Sequence, residues 1–401
     1  MSPDGEAAAR ALVSRPDIAR LLSVLDEDGE ETRIVGGAVR NVLLGREVRD
    51  VDLATTALPK RTMARAAAAG FRTVPTGLAH GTVTVLVQGT PFEVTTLRED
   101  VETDGRHAVV RFGRDFTADA RRRDFTVNAL SLRRDGTVED EVGGIPDLAS
   151  GRIRFIGEAD LRIREDYLRI LRFFRFWAEY GQGPIDADGY AASIRARDRL
   201  ARLSRERVRA EFLKLLAAPR AVEGVTLLEH GGLLARLVGR IGDAGRLRRA
   251  AAAGSDPIGR LAAFLVRSTE DARHLREILR LSNAEHGRLD LYAGALARLV
   301  GRAHPLDAAE ARRLAVLYGV KALRDAGAAV LAEPRPVLTE DGRDLLARYA
   351  AGRAEAPLFP LAGQDLVERG IPPGPALGRR LAEERQRWIE AGCPDEWLMR
   401  P

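Results

Sequence analysis

Asp50 and Asp52 are the residues of this chain best suited to chemistry on a phosphate. Their stretch, Val48-Arg49-Asp50-Val51-Asp52-Leu53-Ala54, alternates apolar positions as a strand does, and residues two apart on a strand project to one side. Both carboxylates would then face one point. Two hard anionic oxygens there suit Mg²⁺ shared with a nucleotide's phosphates, the arrangement used for phosphoryl and nucleotidyl transfer. Just upstream, Arg33-Ile34-Val35 reads as a strand running into Gly36-Gly37, and residues 38–44 have helix-forming composition before Gly45 stops them. A strand, a two-glycine turn and a helix start make a phosphate cradle, because unpaired N–H groups face the anion and glycine lets it come close. Arg40, one turn into that helix, would reach a triphosphate. Neither Gly-Lys-Ser/Thr nor Gly-x-Gly-x-x-Gly accompanies the turn, which separates it from the two common nucleotide loops.

A second set of residues has the chemistry to read a base. Asp166 and Arg169 are three apart on a predicted helix within residues 165–176, and Arg172 and Arg175 continue the row, while Phe173, Phe174, Phe176 and Trp177 would bury the opposite side. Cytosine and adenine each offer an exocyclic amine beside an unprotonated ring nitrogen; uracil and guanine offer a carbonyl beside a ring N–H. A fixed carboxylate accepting from the amine and a fixed guanidinium donating to the ring nitrogen therefore accept C and A and reject U and G. A rejected base leaves like facing like, which costs several kcal/mol and discriminates on the order of 10⁴-fold.

The elements that must position these groups are legible in outline. Residues 81–87 alternate threonine and valine as a half-buried strand does, and residues 91–96 read as its hairpin partner after Gly89, with Glu93 a candidate third carboxylate. Residues 96–109, including Arg98, Asp104, Gly105 and Arg106, are polar and poorly periodic, which predicts a loop over the site. Arg122, Arg123 and Asp124 precede the apolar residues 125–130, predicted to open a helix capped by Asp124, with Asp124 and Asn128 as supporting groups. From about Gly151 onward strand signals vanish and leucine, alanine and arginine recur at helical spacing, broken near residues 181–184, 254–257 and 334–336.

Four segments, Gly36-Gly37-Ala38-Val39-Arg40, Asp50-Val51-Asp52, Arg122-Arg123-Asp124-Phe125-Thr126-Val127-Asn128-Ala129 and Glu165-Asp166-Tyr167-Leu168-Arg169, occur in order over roughly the first half of the chain. Together they resemble the class II tRNA nucleotidyltransferases, the CCA-adding enzymes, and their relatives the bacterial poly(A) polymerases. The resemblance implies an α+β fold: a polymerase-beta-like nucleotidyltransferase head with a mixed sheet at residues 1–150, a helical neck at 151–217 that holds base and RNA, and a helical body and tail at 218–401 that grips the acceptor and T arms of tRNA. It implies CTP and ATP as substrates, Mg²⁺ on Asp50 and Asp52, and nucleotide contacts from Gly36, Gly37, Arg40, Arg123, Asp166, Arg169, Arg172 and Arg175. Poly(A) addition, or a partial enzyme adding only CC or only A, shares these residues. The chain departs from the family at Asn41, where aspartate is usual, which bears on local support of the short helix.

Bulk properties agree with this reading. A chain of 401 residues implies two or more domains. Its net charge of +5 permits an RNA partner, and the excess lies late: residues 1–150 hold 20 basic and 24 acidic side chains, residues 151–401 hold 43 and 34. One cysteine, Cys393, excludes an internal disulfide and a cysteine-rich zinc site, and a reducing cytoplasm is expected. Nothing suggests haem or flavin, a signal or transit segment, or an apolar run of membrane-spanning length. Oligomeric state stays open.

Overall fold

The computed structural model describes residues 3–103, 108–302, 304–331, 337–394 and 396–397. The chain divides into two compact units, Met1–Leu203 and Ser204–Pro401.

The first unit is built on a seven-stranded sheet. Its strands are β1 (Thr32–Val35), β2 (Asp52–Thr55), β3 (Arg72–Gly77), β4 (Thr82–Val87), β5 (Thr90–Thr96), β8 (Ser131–Leu132) and β9 (Val138–Glu139), in the order β3-β4-β5-β2-β1-β8-β9. The threonine–valine alternation produces the β4–β5 hairpin as expected. Its two-residue loop, Gln88 and Gly89, has positive φ at both positions (51° and 88°), the geometry that matches strand twist. β2 sits centrally, antiparallel to β1 and parallel to β5, and this sets Asp52 opposite both Val35 and Glu93. Leu53 and Ala54 are buried, so the strand that carries the acid is anchored on its neighbours.

Three local expectations need correction. The stretch around the aspartates is not one strand: β2 begins at Asp52 and Asp50 precedes it. The reason lies in its partner, because β1 ends at Val35 opposite Asp52 and Gly36, at φ 69°, turns the chain away. The described residues on either side of 104–107 form a two-stranded ribbon where a loop was expected, β6 (Arg98–Thr103) with β7 (Ala108–Phe112), in register from Arg98↔Phe112 to Thr103↔Ala108 with a bulge between Asp100 and Glu102. Backbone pairing between two strands needs no apolar period, which is why the pattern hid it. Asp104, Gly105 and Arg106 lie outside the described residues, as do residues 334–336. Third, residues 125–130 form a single 3₁₀ turn, Thr126–Asn128, rather than a helix, because Ser131 and Leu132 are taken up by β1 as β8.

The Leu168–Tyr180 helix is held by an aromatic cluster. Phe125 packs against Phe155 at 5.0 Å and Phe176 at 5.2 Å between ring centroids, and Phe155 against Phe173 at 5.2 Å. Phe125, Phe173 and Phe174 are fully buried, as the sequence pattern predicts for the apolar side of this helix. Truncating one such ring to alanine costs about 3–5 kcal/mol, enough to loosen the arginines on the other side.

The second unit is helical among its described residues. The Arg205–Ala217 helix packs on Pro257–Leu265, which packs in turn on Asn283–Leu299 and Val320–Val330. Asp256 caps the Pro257–Leu265 helix through Gly259 N–H at 2.9 Å and receives Arg288 at 2.7 Å and Lys321 at 2.6 Å. Near the end of the chain, Trp388 and Cys393 are buried together, and Glu384 accepts from Arg387 at 3.1 Å and Trp397 Nε1 at 3.0 Å. No described helix is long and apolar enough to cross a membrane.

Candidate active site

A cleft of about 470 Å³ in the first unit gathers most of the residues singled out in the sequence: Gly36, Gly37, Arg40, Asp52, Arg123, Asp124, Asn128, Asp166, Arg169, Arg172 and Arg175, with Arg122 and Phe176. Asp50 and Glu93 lie outside its lining but beside Asp52. Asp50 and Asp52 are exposed while Val51 between them is buried, so both acids face solvent. Glu93 is exposed on the neighbouring strand in register with Asp52. Partial burial raises the Asp52 pKa, and the negative charges of Glu93 and Asp50 add to the rise while Arg123 opposes it.

These three carboxylates have no hydrogen-bond or ion-pair partner among the described residues. Unneutralised hard oxygens fit a divalent cation. Among the described residues no three acidic, histidine or cysteine side chains are gathered closely enough to hold an ion unaided. Magnesium does not need three, since it is commonly held by one or two carboxylates with substrate phosphates and water.

The glycine turn and its arginines form the next layer. Gly36 adopts φ 69°, and a Cβ there would stand 3.0 Å from Arg123 Nη1, so glycine both permits the turn and lets the guanidinium lie against it. Arg123 is aimed by Asp119, which accepts its Nη2 at 3.1 Å, and by the Asn128 carbonyl, which accepts Nη1 at 3.3 Å. Asp119 also pairs with Arg122. The sequence reading missed Asp119, although an acid three and four residues before two arginines in the Phe116–Arg121 helix was a usable signal.

Arg40 is buried at 6 % exposure rather than extended into solvent. It donates to Asn128 Oδ1 at 2.5 Å, to Tyr180 Oη at 2.8 Å, and to Asn41 Oδ1 at 2.9 Å and 3.2 Å, and stacks 4.0 Å from the Tyr180 ring centroid. Burial depresses its pKa, with Arg175 adding to the effect. Asn41, the family departure, thus serves directly as an acceptor for Arg40. Tyr180 carried no sequence signal, because 140 residues separate it from its partner.

Asp124 is buried and ties the layers together. Burial alone would raise its pKa, but Arg172 and the hydrogen bonds from Asn128, Arg172 and the Phe125 N–H reverse this and hold the carboxyl low. Its Oδ2 accepts Arg172 Nε at 2.7 Å; its Oδ1 accepts Asn128 Nδ2 at 3.0 Å. Asp166 is not on the helix with Arg169, as the spacing suggested. It sits in extended conformation between the Ala159–Glu165 and Leu168–Tyr180 helices, accepting the Leu168 N–H at 3.0 Å. Arg169, in the first turn, pairs with Glu165 and donates to the carbonyls of Arg162 at 3.0 Å and Arg122 at 3.3 Å. Both still line one cleft. Arg175 stacks 3.8 Å from the Phe176 ring centroid.

Residues 32–154 match the family model described as the poly A polymerase head domain, and residues 184–239 match one described as a probable RNA and SrmB-binding site of polymerase A. The chain is 36 % identical to the mitochondrial CCA tRNA nucleotidyltransferase 1 of Danio rerio, over 92 % of this chain and 85 % of that protein. It is 43 % identical to a CCA-adding enzyme of Geobacillus thermodenitrificans over 58 % of this chain and 57 % of that one. The Bacillus stearothermophilus CCA-adding enzyme in complex with CTP superposes with a TM-score of 0.72 at 30 % identity, covering 98 % of this chain and 94 % of that one. The Thermotoga maritima CCA-adding enzyme complexed with tRNA shares the fold at a TM-score of 0.68 and 20 % identity.

Proposed function

The chain belongs to the family of class II CCA-adding enzymes and poly(A) polymerases, and from that premise we propose how it adds C, C and A, from CTP and ATP, to the 3′ end of tRNA with release of pyrophosphate. The observation that carries the residue assignments is the single cleft that holds Asp52, the Gly36-Gly37 turn and the Asp166–Arg169 pair together.

Asp50 and Asp52 would hold Mg²⁺, with Glu93 in support, and an ion bound there would supply Lewis-acid activation of the RNA 3′-hydroxyl and charge stabilisation for the leaving pyrophosphate. The rest is done by the protein's own groups. Arg123, aimed by Asp119, lies along the glycine turn where the phosphates would pass, and Arg40 supplies positive charge beneath them. At the other end Asp166 accepts from the exocyclic amine of C or A while Arg169 donates to the ring nitrogen. Arg169 suits this because Glu165 and two backbone carbonyls fix its plane, and a fixed donor cannot rotate to suit U or G. Arg172, locked on Asp124, orients the helix, and Arg175 lies beside it for the base or neighbouring phosphate. Side chains thus take the place of a template strand.

In this reading residues 1–150 are the catalytic head, 151–217 the neck, and 218–401 the body and tail on the acceptor and T arms. A cytoplasmic site of action is part of this reading, and the lone Cys393, free and buried, is compatible with it. The deciding assay incubates the protein and Mg²⁺ with tRNA ending at the discriminator, after CC, or complete, with CTP, ATP or both. Addition of C, C and A followed by arrest is the expected result. Activity on only one end would make it a partial enzyme, and long A tails on unrelated RNA would make it a poly(A) polymerase.

A further inference from the structure

Arg40 is the unusual cation of the cleft. A guanidinium at 6 % exposure normally meets a carboxylate, since burying an unpaired charge costs several kcal/mol. Here all its hydrogen-bond acceptors are neutral: the amide oxygens of Asn41 and Asn128 and the phenol of Tyr180. Asp124, an acid whose field reaches it, is already engaged by Arg172, and the positive charge of Arg175 acts against it. The contrast within the site is sharp, because Arg122 and Arg123 share Asp119, Arg169 has Glu165 and Arg172 has Asp124. Arg40 nonetheless lines the cleft beside Gly36 and Gly37.

We propose that Asn41 is an affinity-determining residue: by holding Arg40 with a neutral oxygen, it leaves one buried positive charge uncancelled in the empty protein, to be neutralised by the polyphosphate of the incoming nucleotide. The inference rests on the nucleotide-binding reading of this cleft and deepens it. Asn41 acts through Arg40 and touches no substrate, so it is a positioning residue. Two consequences follow from the charge alone. The empty protein is less stable than it would be with an acid at position 41, and binding of any polyphosphate relieves that cost without regard to the base. An aspartate is isosteric with Asn41, and its carboxylate would lie 2.9–3.2 Å from the same guanidinium nitrogens, cancelling the charge in advance.

The test compares wild type, Asn41→Asp and Asn41→Ala as full-length protein, measuring melting temperature without ligand and affinity for inorganic tripolyphosphate, CTP and ATP at low and high salt. Asn41→Asp is expected to melt higher than wild type and to bind all three probes about tenfold more weakly, with KM raised, kcat within about twofold, and exclusion of UTP unchanged. Asn41→Ala removes the acceptor without adding charge, and its affinities stay within about threefold of wild type. The gap between Asn41→Asp and wild type narrows as salt rises. Wild-type affinity in Asn41→Asp, equal loss in Asn41→Ala, or an Asn41→Asp protein that melts lower or does not fold each overturns the inference. Failure of the wild-type protein to bind any of the three probes would instead remove the nucleotide-binding reading on which it rests.

Discussion

One amide joins the two ends of the cleft: Asn128 accepts from Arg40 Nη1 at 2.5 Å through its oxygen and donates through its nitrogen to Asp124, which holds Arg172. The Arg40 end belongs to the glycine turn and the Arg172 end to the Leu168–Tyr180 helix. Their relative placement therefore passes through a group that touches neither a base nor a phosphate in the proposed binding mode. Asn128→Ala should lower kcat/KM by about 10- to 100-fold, and a double-mutant cycle with Arg172→Gln should give a coupling of about 1–2 kcal/mol. Additive losses would show that the two ends are positioned independently.

Asp52→Asn separates stability from activity. The Asp52 pKa is raised by burial and by Glu93 and Asp50, so its charged form is disfavoured in the folded, metal-free protein. Its contribution is therefore most favourable below the unfolded value of about 4 and is lost as pH rises through the raised folded value. Neutral asparagine should give a higher Tm than wild type at pH 7 without metal, with the difference closing below about pH 4. Turnover should fall by more than about 10³-fold. Thermal melts across pH, beside single-turnover rates, check both.

Asp166→Ala should relax base choice rather than abolish turnover. Without the carboxylate, nothing faces the carbonyl of U or G with like polarity, and the ratio of CTP to UTP use should drop by about 10²-fold or more. Primer-extension with each of the four nucleotides reads it. Unchanged exclusion of UTP would remove the templating role from this residue.

Gly36→Ala tests the close approach of Arg123. The added Cβ meets a φ of 69° and Nη1 at 3.0 Å, so either the turn or the guanidinium shifts. KM for both nucleotides should rise about tenfold, and the ratio between them should hold, because the base end is untouched.

In the second unit, Asp256 reports on acid stability. Burial pushes its carboxyl up, but hydrogen bonds from Arg288, Lys321 and the Gly259 N–H, with the charge of Arg288, more than reverse this and hold it well below the usual carboxylate range. Its contribution is present above the unfolded value of about 4 and fades as pH falls toward the folded one. Asp256→Ala should cost about 2 kcal/mol at pH 7, roughly one from the lost cap and the rest from two half-exposed ion pairs. Urea titrations should show the gap shrinking below pH 4.

What the sequence disclosed, and what it withheld, follows from the range of each interaction. The β4–β5 hairpin was legible because its threonine–valine alternation and Gly89 are local. The apolar face of the Leu168–Tyr180 helix was legible for the same reason. Asp50 falls outside a strand because of where β1 stops, information that lies some fifteen residues upstream and appears only on pairing. The β6–β7 ribbon is made by backbone bonds, which leave little trace in side-chain pattern. Tyr180 on Arg40 is a long-range contact with no periodic signature at all.

The parallel pairing of β2 with β5 has a bearing on biosynthesis. Parallel neighbours cannot be joined by a tight turn, so the ribosome must release β3, β4 and the β4–β5 hairpin before Asp52 acquires Glu93 at its side. β8 and the Leu168–Tyr180 helix come later still. A nascent chain stalled before that helix emerges holds its acids together with Arg40 and Arg123, but lacks Arg169, Arg172 and Arg175 at the base end. Interrupted translation products should therefore be unable to choose among nucleoside triphosphates, and base selection should arrive as one late event in folding.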